Sequence, residues 1–417
     1  MRIQKRGTMR VIVVGGGVAG AVSAIALRRI GAEVTVYEAY SDPGGQVGSF
    51  LSLAVNGLRA LESLGCLEPV RRAGFDVSRQ RLWSSAGRLL GDVPRGRLSG
   101  DRMRAVTLMR GHLVRTLREH ALRAGAAIVT GERLVGAVNG GDGVRAVFAG
   151  GRTDTADLLV GADGLWSATR AVLDPAAPVP AYAGLYSVSG IAENLPVGIG
   201  TEAGTFNMVF ARNGAFVHLP APDGTVWWSA QVARPDEPDL TGVDEEGWSR
   251  RLTELYRFEE VPSAILRATT RLHRPTLMHT LAPVPTWHDD RIVLLGDAAH
   301  PVGAGQGASM AIEDAVVLAH HLATVPGIPD ALAGYDRARR ARVGRMVRAA
   351  SANRDSKTAG PVGRRVNDLI MPIFFRHFYE RSTAWLYTHG FEPLPGPGDA
   401  AHDGPERAAG DPATTGR

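Results

Sequence analysis

The chain opens with apolar and small residues in a strict order. Arg10 to Val14 is an apolar run of strand length, Gly15 to Gly20 is a glycine-rich turn, and Val22 to Arg29 has the make-up of a buried helix. Glu33 to Tyr37 alternates polar and apolar positions and ends at Glu38, which predicts a second strand and a βαβ unit with its second crossover still to come. Asn56 to Leu64 and Gly111 to Ala124 read as helices; in the second, Leu113, Leu117 and Ala121 recur every four residues and form one stripe. From Ala126 the period falls to two. Short strands are predicted over 127–130, 134–138 and 144–148, with a turn at Asn139-Gly-Gly-Asp-Gly143, and an apolar strand follows from Leu158 to Gly161.

Residues 176–275 have a different pattern. Thr205 to Phe210, Ala215 to Leu219 and Thr225 to Ala230 read as strands, with Pro-Asp-Gly at 222–224 as a hairpin turn. At Arg291 the first pattern returns: a strand from Ile292 to Leu295, a glycine loop, a helix from about Gly307 to Leu322, and one or two further helices. The chain thus leaves a nucleotide-binding pattern and comes back to it. The predicted fold class is α/β: a Rossmann-like domain over 9–75, 101–175 and 276–345, interleaved with an antiparallel β-sheet domain over 76–100 and 176–275, plus C-terminal helices over 346–392. The last stretch, 393–417, has Gly, Pro, Ala and charge but almost no apolar residues, and reads as a disordered tail.

Composition adds little against this. The apolar fraction of 44% and the charged fraction of 21% suit a chain that buries a large core. The net charge of +5 is carried almost wholly by arginine, since Lys5 and Lys357 are the only lysines. These arginines are interleaved with Asp and Glu; the densest cluster, Arg337 to Arg348, reads as a solvated helix face rather than a nucleic-acid footprint. Cys66 is the only cysteine, which excludes an intramolecular disulfide, a thiolate metal cluster and a CxxC pair, and it reads as an inert core residue. A cytoplasmic location is the expectation. The first apolar run, Val11 to Ile30, is broken by four glycines and carries Arg28 and Arg29, so no membrane span and no signal peptide is expected, and Met9 is a second candidate for the first residue.

Three glycine-rich segments carry the candidate chemistry. In Gly15-Gly-Gly17-Val18-Ala19-Gly20, three glycines fill the positions of GxGxxG. The first permits a tight turn, the second lets a pyrophosphate approach the backbone, and the third lets helix and strand pack closely. The helix start offers free N–H groups to phosphate, and Glu38 stands where a ribose hydroxyl is bound. In Leu158-Leu-Val-Gly-Ala-Asp163-Gly164-Leu-Trp-Ser167-Ala-Thr-Arg170, a buried strand ends in Asp-Gly; Asp163 suits either a cofactor contact or a cap on the next helix. In Gly296-Asp297-Ala-Ala-His300-Pro301-Val-Gly303-Ala-Gly305-Gln306-Gly307, an acid at a strand tip precedes a glycine loop and a helix.

Taken in order, with the Arg110-Gly-His-Leu113-Val-Arg-Thr-Leu117 helix between the first two, these segments resemble the group A FAD-dependent aromatic monooxygenases, the p-hydroxybenzoate hydroxylase type, over about residues 9–350. That resemblance implies non-covalent FAD. It assigns Arg110 to the diphosphate, Asp163 and Asp297 to the cofactor with Asp297 on the ribityl hydroxyls, Pro301 beside the ring, and Gly303, Gly305, Gln306 and Gly307 at the ring's pyrimidine edge. It further implies NAD(P)H as co-substrate without a Rossmann domain of its own, dioxygen added at the flavin C4a carbon, and hydroxylation or epoxidation of a phenol, an indole or a polyketide-type aromatic, plausibly in secondary metabolism. The expected assembly is a monomer or homodimer, with no nucleic acid and no metal. One position departs from the family: Tyr40 stands two residues after Glu38, where an arginine is frequent. The catalytic group is unassigned. Asn207, Phe216, His218, Trp228 and Gln231 lie on the expected substrate sheet and are the candidates to face the flavin. The alternatives are an FAD-dependent reductase or dehydrogenase on the same fold, and a non-catalytic flavin-binding protein. A NAD-dependent dehydrogenase leaves the Asp297 to Gly307 segment without a purpose. A flavin halogenase is disfavoured because no lysine falls between Lys5 and Lys357.

Overall fold

The computed structural model describes residues 8–42, 49–195, 202–303, 305–357 and 360–395. Its centre is a five-stranded parallel sheet in the order Ile292–Leu294, Leu158–Gly161, Arg10–Val14, Glu33–Glu38, Ala127–Thr130. Alternation along the central strand decides what covers each face. Val11 and Val13 join the core formed with the helices Val18–Arg29, Val55–Ser63, Arg110–Arg123 and Gly307–Thr324. Ile12 and Val14 face the other way, onto a three-stranded antiparallel sheet (Leu134–Gly140, Gly143–Phe148, Thr153–Ala156) through Leu134, Val144 and Phe148. The first helix begins at Val18, so the last three turn residues expected from sequence, Val18, Ala19 and Gly20, already belong to it. Cys66 is buried in the main core, where burial pushes its thiol up to about 11.

The second large sheet has seven strands in one path, Thr269–Leu272, Ala181–Ala192, Val226–Ala233, Gly214–Pro220, Thr205–Ala211, Arg79–Ser84 and Leu89–Pro94, with Thr276–Thr280 also paired to Ala181–Ala192. Every neighbour is antiparallel except Thr205–Ala211 against Arg79–Ser84, which run parallel. One face is closed by the helices Glu245–Leu255 and Glu260–Arg267, with Phe216, Trp228, Trp248 and Tyr256 in its core. The other face carries Leu82, Phe206, Met208 and Val217 and meets the C-terminal helices through Met371, Phe375 and Tyr379.

Among the described residues three helices, not one or two, follow the Gly307–Thr324 helix: Ile328–Lys357, Pro361–His377 and Tyr379–Tyr387. The first runs unbroken across the expected boundary at 345/346. Its arginines divide: Arg337, Arg345 and Arg348 are exposed, as a solvated face requires, but Arg339 is 1% exposed and sits between two carboxylates. Its Nε donates to Asp314 at 2.6 Å and its Nη1 to Glu313 at 2.7 Å; Arg342 donates to both oxygens of Glu313 at 2.6 and 2.7 Å. Two buried anions thus meet two cations, and Asn56 Nδ2 adds a fourth donor to Glu313 at 2.7 Å. Of the tail expected at 393–417, residues 393–395 are described, and Leu394 is buried against the main core; residues 396–417 lie outside those described. Among the described residues no helix is long and apolar enough to cross a membrane.

The arginines beside Glu313 and Asp314 hold both carboxyls below their usual range against the opposing effect of burial. Stability from a depressed carboxylate is present above its unfolded pKa of about 4 and is lost as pH falls below it. Arg339→Leu leaves an uncompensated buried charge and is expected to cost roughly 3–5 kcal/mol at pH 7. Urea unfolding from pH 8 down to pH 3 should show the gap between wild type and variant narrowing as the carboxyls protonate. A gap that stays constant contradicts the assignment.

Candidate functional site

The turn after the central strand does what its glycines permit, each in a different way. Gly15 has φ +102°, and a Cβ there would lie 2.4 Å from the Ala162 carbonyl oxygen. A Cβ on Gly20 would lie 1.8 Å from the Gly15 oxygen, so this glycine is needed for close contact between helix and turn. At Gly17 a Cβ would meet no protein atom within 4 Å. That position faces open space, as a backbone reserved for a ligand must. The N–H groups of Val18, Ala19 and Gly20 start the helix and have no intrahelical acceptor. Glu38 is buried under the turn and accepts from Gly16 N at 2.6 Å and from Tyr40 N at 2.8 Å. These bonds use two of its four lone-pair sites, leaving one on each oxygen for a hydroxyl.

The second glycine loop faces the first. Gly296, at φ +58°, packs between Ala19 and Ala311, each 3.2 Å from where its Cβ would be. Asp314 fixes the loop from behind, accepting from Gly296 N at 2.9 Å and from His300 Nε2 at 2.7 Å. Asp297 Oδ1 lies 3.6 Å from where a Cβ on Gly307 would be, at the start of the next helix. Asp297 is partly buried, and its carboxylate accepts no hydrogen bond among the described residues. Burial pushes its pKa up, against the attraction of His300 and Arg110. Arg110 is exposed at the start of its helix, and its guanidinium donates to no acceptor among the described residues. Pro301 is half-buried, Gly303 and Gly305 are exposed, and Gln306 is buried with its amide oxygen 3.4 Å from Asn56 Nδ2. The helix from Gly307 has no side-chain cap, so its first N–H groups are open toward the loop. Ala304 lies outside the described residues.

A bare backbone at Gly17, an unpartnered carboxylate at Asp297 and an unpartnered guanidinium at Arg110 are the complement of a dinucleotide: diphosphate, hydroxyls and a polar ring edge. The residues present therefore fit the cofactor that the motif order implies. Asp163 stands apart from this set. Its carboxylate accepts from Ser167 Oγ at 2.5 Å, Thr169 N at 2.9 Å and Thr169 Oγ1 at 3.0 Å. It ties down the start of the Ala168–Leu173 helix, the second of the two roles its position suggested. Arg170 is likewise turned inward, donating to the carbonyls of Ala298 and Leu165, and so joins this segment to the second glycine loop.

A cavity of about 510 Å³ opens beside Gly305 and Gln306. Its walls are the second sheet through Gln80, Leu82, Met208 and Phe210, and the C-terminal helices through Phe374 and Tyr387. None of the five sheet residues expected to face the flavin lines it. Asn207, His218 and Trp228 are cross-strand neighbours, and Phe216 stacks on Trp228 at 5.5 Å, all on the face closed by the Glu245–Leu255 and Glu260–Arg267 helices. Asn207 accepts from Trp83 Nε1 at 3.0 Å, and burial pulls His218 down to about 3, so it is a neutral core histidine. Gln231 is paired with Ala215 on the opposite face but lies away from the cavity. Alternation separates the two faces but does not say which one a helix will cover. Arg95, Tyr379 and Tyr387, which do line the cavity, had no motif to mark them; the apolar spacing of Val366, Ile370, Ile373 and Phe374 was the available signal that the last helices matter.

Comparison with known proteins gives a consistent result. A family model described as FAD binding domain matches residues 8–350. The chain is 32% identical over 349 residues to the aurachin C monooxygenase/isomerase of Stigmatella aurantiaca, spanning 81% of this chain and 87% of that protein. It is 31% identical over 356 residues to 3-hydroxybenzoate 6-hydroxylase 1 of Aquipseudomonas alcaligenes, spanning 81% and 86%. Among solved structures, HpxO of Klebsiella pneumoniae complexed with FAD and uric acid has the same fold at a TM-score of 0.80 and 22% identity, covering 93% of this chain and 99% of that one. A salicylate hydroxylase substrate complex follows at 0.75 and 22%, covering 92% and 96%.

Two substitutions separate ligand binding from folding. Gly17→Val should leave the melting temperature near wild type, because its side chain enters empty space, yet weaken FAD binding about tenfold or more. Asp297→Ala should weaken FAD by about ten- to a hundredfold through loss of a charge-assisted hydrogen bond. Asp163→Ala should instead lower stability by roughly 0.5–2 kcal/mol, as loss of a helix cap does. FAD titration of the apo-variants beside their melting curves checks all three; equal affinity losses at Asp297 and Asp163 with unchanged melting contradict this division of labour.

Proposed function

The chain belongs to the FAD-binding-domain family of group A flavoprotein monooxygenases, and on that premise we propose that it uses NAD(P)H and dioxygen to hydroxylate or epoxidise an aromatic or polycyclic small molecule. The observation that carries this reading is the position of the 510 Å³ cavity, one wall of which is the Gly305–Gln306 loop at the start of the Gly307–Thr324 helix. A chamber of that volume suits a two- or three-ring substrate. FAD, when bound, supplies the redox chemistry, accepting hydride from NAD(P)H and activating dioxygen.

The chain's own residues bind, orient and exclude water. Gly17 and the N–H groups of Val18, Ala19 and Gly20 take the diphosphate with Arg110, Glu38 takes the adenosine ribose, and Asp297 takes ribityl hydroxyls. Pro301, Gly303, Gly305, Gln306 and Gly307 would hold the ring, and the helix start at Gly307 would favour negative charge beside it. Asp163 and Arg170 keep the neighbouring segment in register, a role supported by the hydrogen bonds they make within the protein. Leu82, Met208, Phe210 and Phe374 provide apolar walls that keep water from the reacting atoms. The relatives named above act on aromatic and polycyclic compounds by their names, which supports the substrate class.

The test is oxygen uptake during substrate-stimulated NAD(P)H oxidation, with product mass. The expected result is one dioxygen consumed for each NAD(P)H oxidised and one oxygen atom gained by an aromatic product. Oxidation of NAD(P)H with substrate reduced, and no oxygen incorporated, would instead support a reductase or dehydrogenase on the same fold.

A further inference from the structure

The Pro361–His377 helix is apolar on two sides. Its inner side packs Met371 and Phe375 against the second sheet. The fit is close: a Cβ on Gly91, in the Leu89–Pro94 strand, would lie 2.7 Å from the Phe375 ring. Near the start of the helix, Arg364 Nη1 donates to the Arg212 carbonyl at 2.9 Å. The rotation of the helix about its axis is therefore fixed, and with it the face turned outward. That face carries Val362, Val366, Leu369 and Ile373, whose spacing makes one stripe of an α-helix. They are 74%, 46%, 70% and 59% exposed. A single exposed valine or leucine is ordinary, but a contiguous apolar stripe marks a contact surface.

The two edges of the stripe differ. Along one stand Arg365 and Arg376, both exposed and about three turns apart. Along the other, Ile370 and Phe374 are exposed and also line the 510 Å³ cavity. Asp368 is the only acid in the helix, and it is half-buried. The chain as a whole carries a net charge of +5. An apolar strip with cations on its rim and no exposed carboxylate complements an apolar layer beneath an anionic one. A second copy fits less well. The strip is about 25 Å long and about 10 Å wide, a footprint of about 250 Å² against the roughly 800 Å² per partner of a stable dimer. An antiparallel pairing would also set the arginine edges against each other.

We propose that this face docks on a phospholipid bilayer that contains anionic lipid. The helix lies in the plane of the interface, with Val362, Val366, Leu369 and Ile373 at the acyl boundary and Arg365 and Arg376 among the phosphates. It rests on the bilayer rather than passing through it: it has 17 residues and an internal Pro372, and among the described residues no helix is long and apolar enough to cross. Docking turns the chamber wall formed by Ile370 and Phe374 toward the lipid. This surface is separate from the reaction proposed above, and its failure leaves that reading untouched.

The experiment is flotation of the FAD-loaded enzyme with vesicles of phosphatidylcholine alone and of phosphatidylcholine with phosphatidylglycerol, at about 0.1 M and about 1 M salt. In low salt the enzyme is expected to partition onto the mixed vesicles about tenfold or more above the neutral ones, and less so in high salt, where the charge attraction is screened. Leu369→Ser with Ile373→Ser is expected to lower this partition about tenfold or more. Arg365→Gln with Arg376→Gln is expected to lower it by about tenfold on the mixed vesicles only. Melting temperature and FAD content should stay unchanged in both, since all four side chains are exposed. Wild-type enzyme that stays off the mixed vesicles, or partition that either pair of substitutions leaves intact, overturns the proposal. A dimer seen by light scattering without lipid, and dissolved by Leu369→Ser with Ile373→Ser, would assign the face to a second copy and also overturn it. If one pair does not fold, the other pair and the wild-type dependence on lipid charge decide.

Discussion

The buried cluster of Glu313, Asp314, Arg339 and Arg342 is the constraint on which the site depends. Asp314 faces two ways: one oxygen takes the Arg339 guanidinium, and the other takes Gly296 N–H and His300. The glycine loop is therefore fastened to the interior by its backbone and one side chain, and Asp297, the next residue along, is left without a hydrogen-bond partner among the described residues, near the start of the Gly307–Thr324 helix. Glu313 carries the tie further, to Asn56 on the Val55–Ser63 helix and, through Arg342, to the carbonyls of Trp385 and Leu386. A cluster of this kind is weak evidence for net stability, since desolvation offsets much of the attraction, but removing one member is costly. Its effect is positional. It holds the cofactor loop and the last cavity-lining helix to the same rigid body.

The cofactor side and the substrate side are built on different physical terms. On the cofactor side, polar groups are left unpaired on a fixed backbone, and the glycines are individually necessary: Gly15 and Gly20 for contact, Gly17 for vacancy. On the substrate side, apolar walls come from elements far apart in the chain, residues 80–82, 208–210 and 370–387. Changing a wall residue on the sheet or the C-terminal helices alters chamber shape without touching either glycine loop. Relatives with this fold whose names specify hydroxybenzoates, a phenazine and zeaxanthin are consistent with such a separation.

Much of this was legible from the chain. The strands Arg10–Val14 and Glu33–Glu38 and the start of the Gly307–Thr324 helix follow from period and from glycine position. What periodicity cannot express is the pairing of surfaces. The alternation in 205–233 separates Asn207, Phe216, His218 and Trp228 from Met208 and Phe210, but only the three-dimensional path of the helices after 245 shows that the first set is sealed. The arginines of 337–348 have the spacing of a wet face, and Arg339 is buried because its partners lie on another helix 25 and 26 residues away. Asp163 was ambiguous for a related reason: a cap and a ligand contact ask for the same residue at the same place.

The most direct test of the central claim is backbone hydrogen–deuterium exchange of the apo-protein with and without FAD. The account predicts new protection at Val18, Ala19 and Gly20 and at Gly305 to Ser309, where helix starts offer unpaired N–H groups to the cofactor. It predicts no change in the antiparallel sheet of 134–156, which packs on the far face. Protection confined to that sheet, or absent from both glycine loops when FAD is bound, would contradict it.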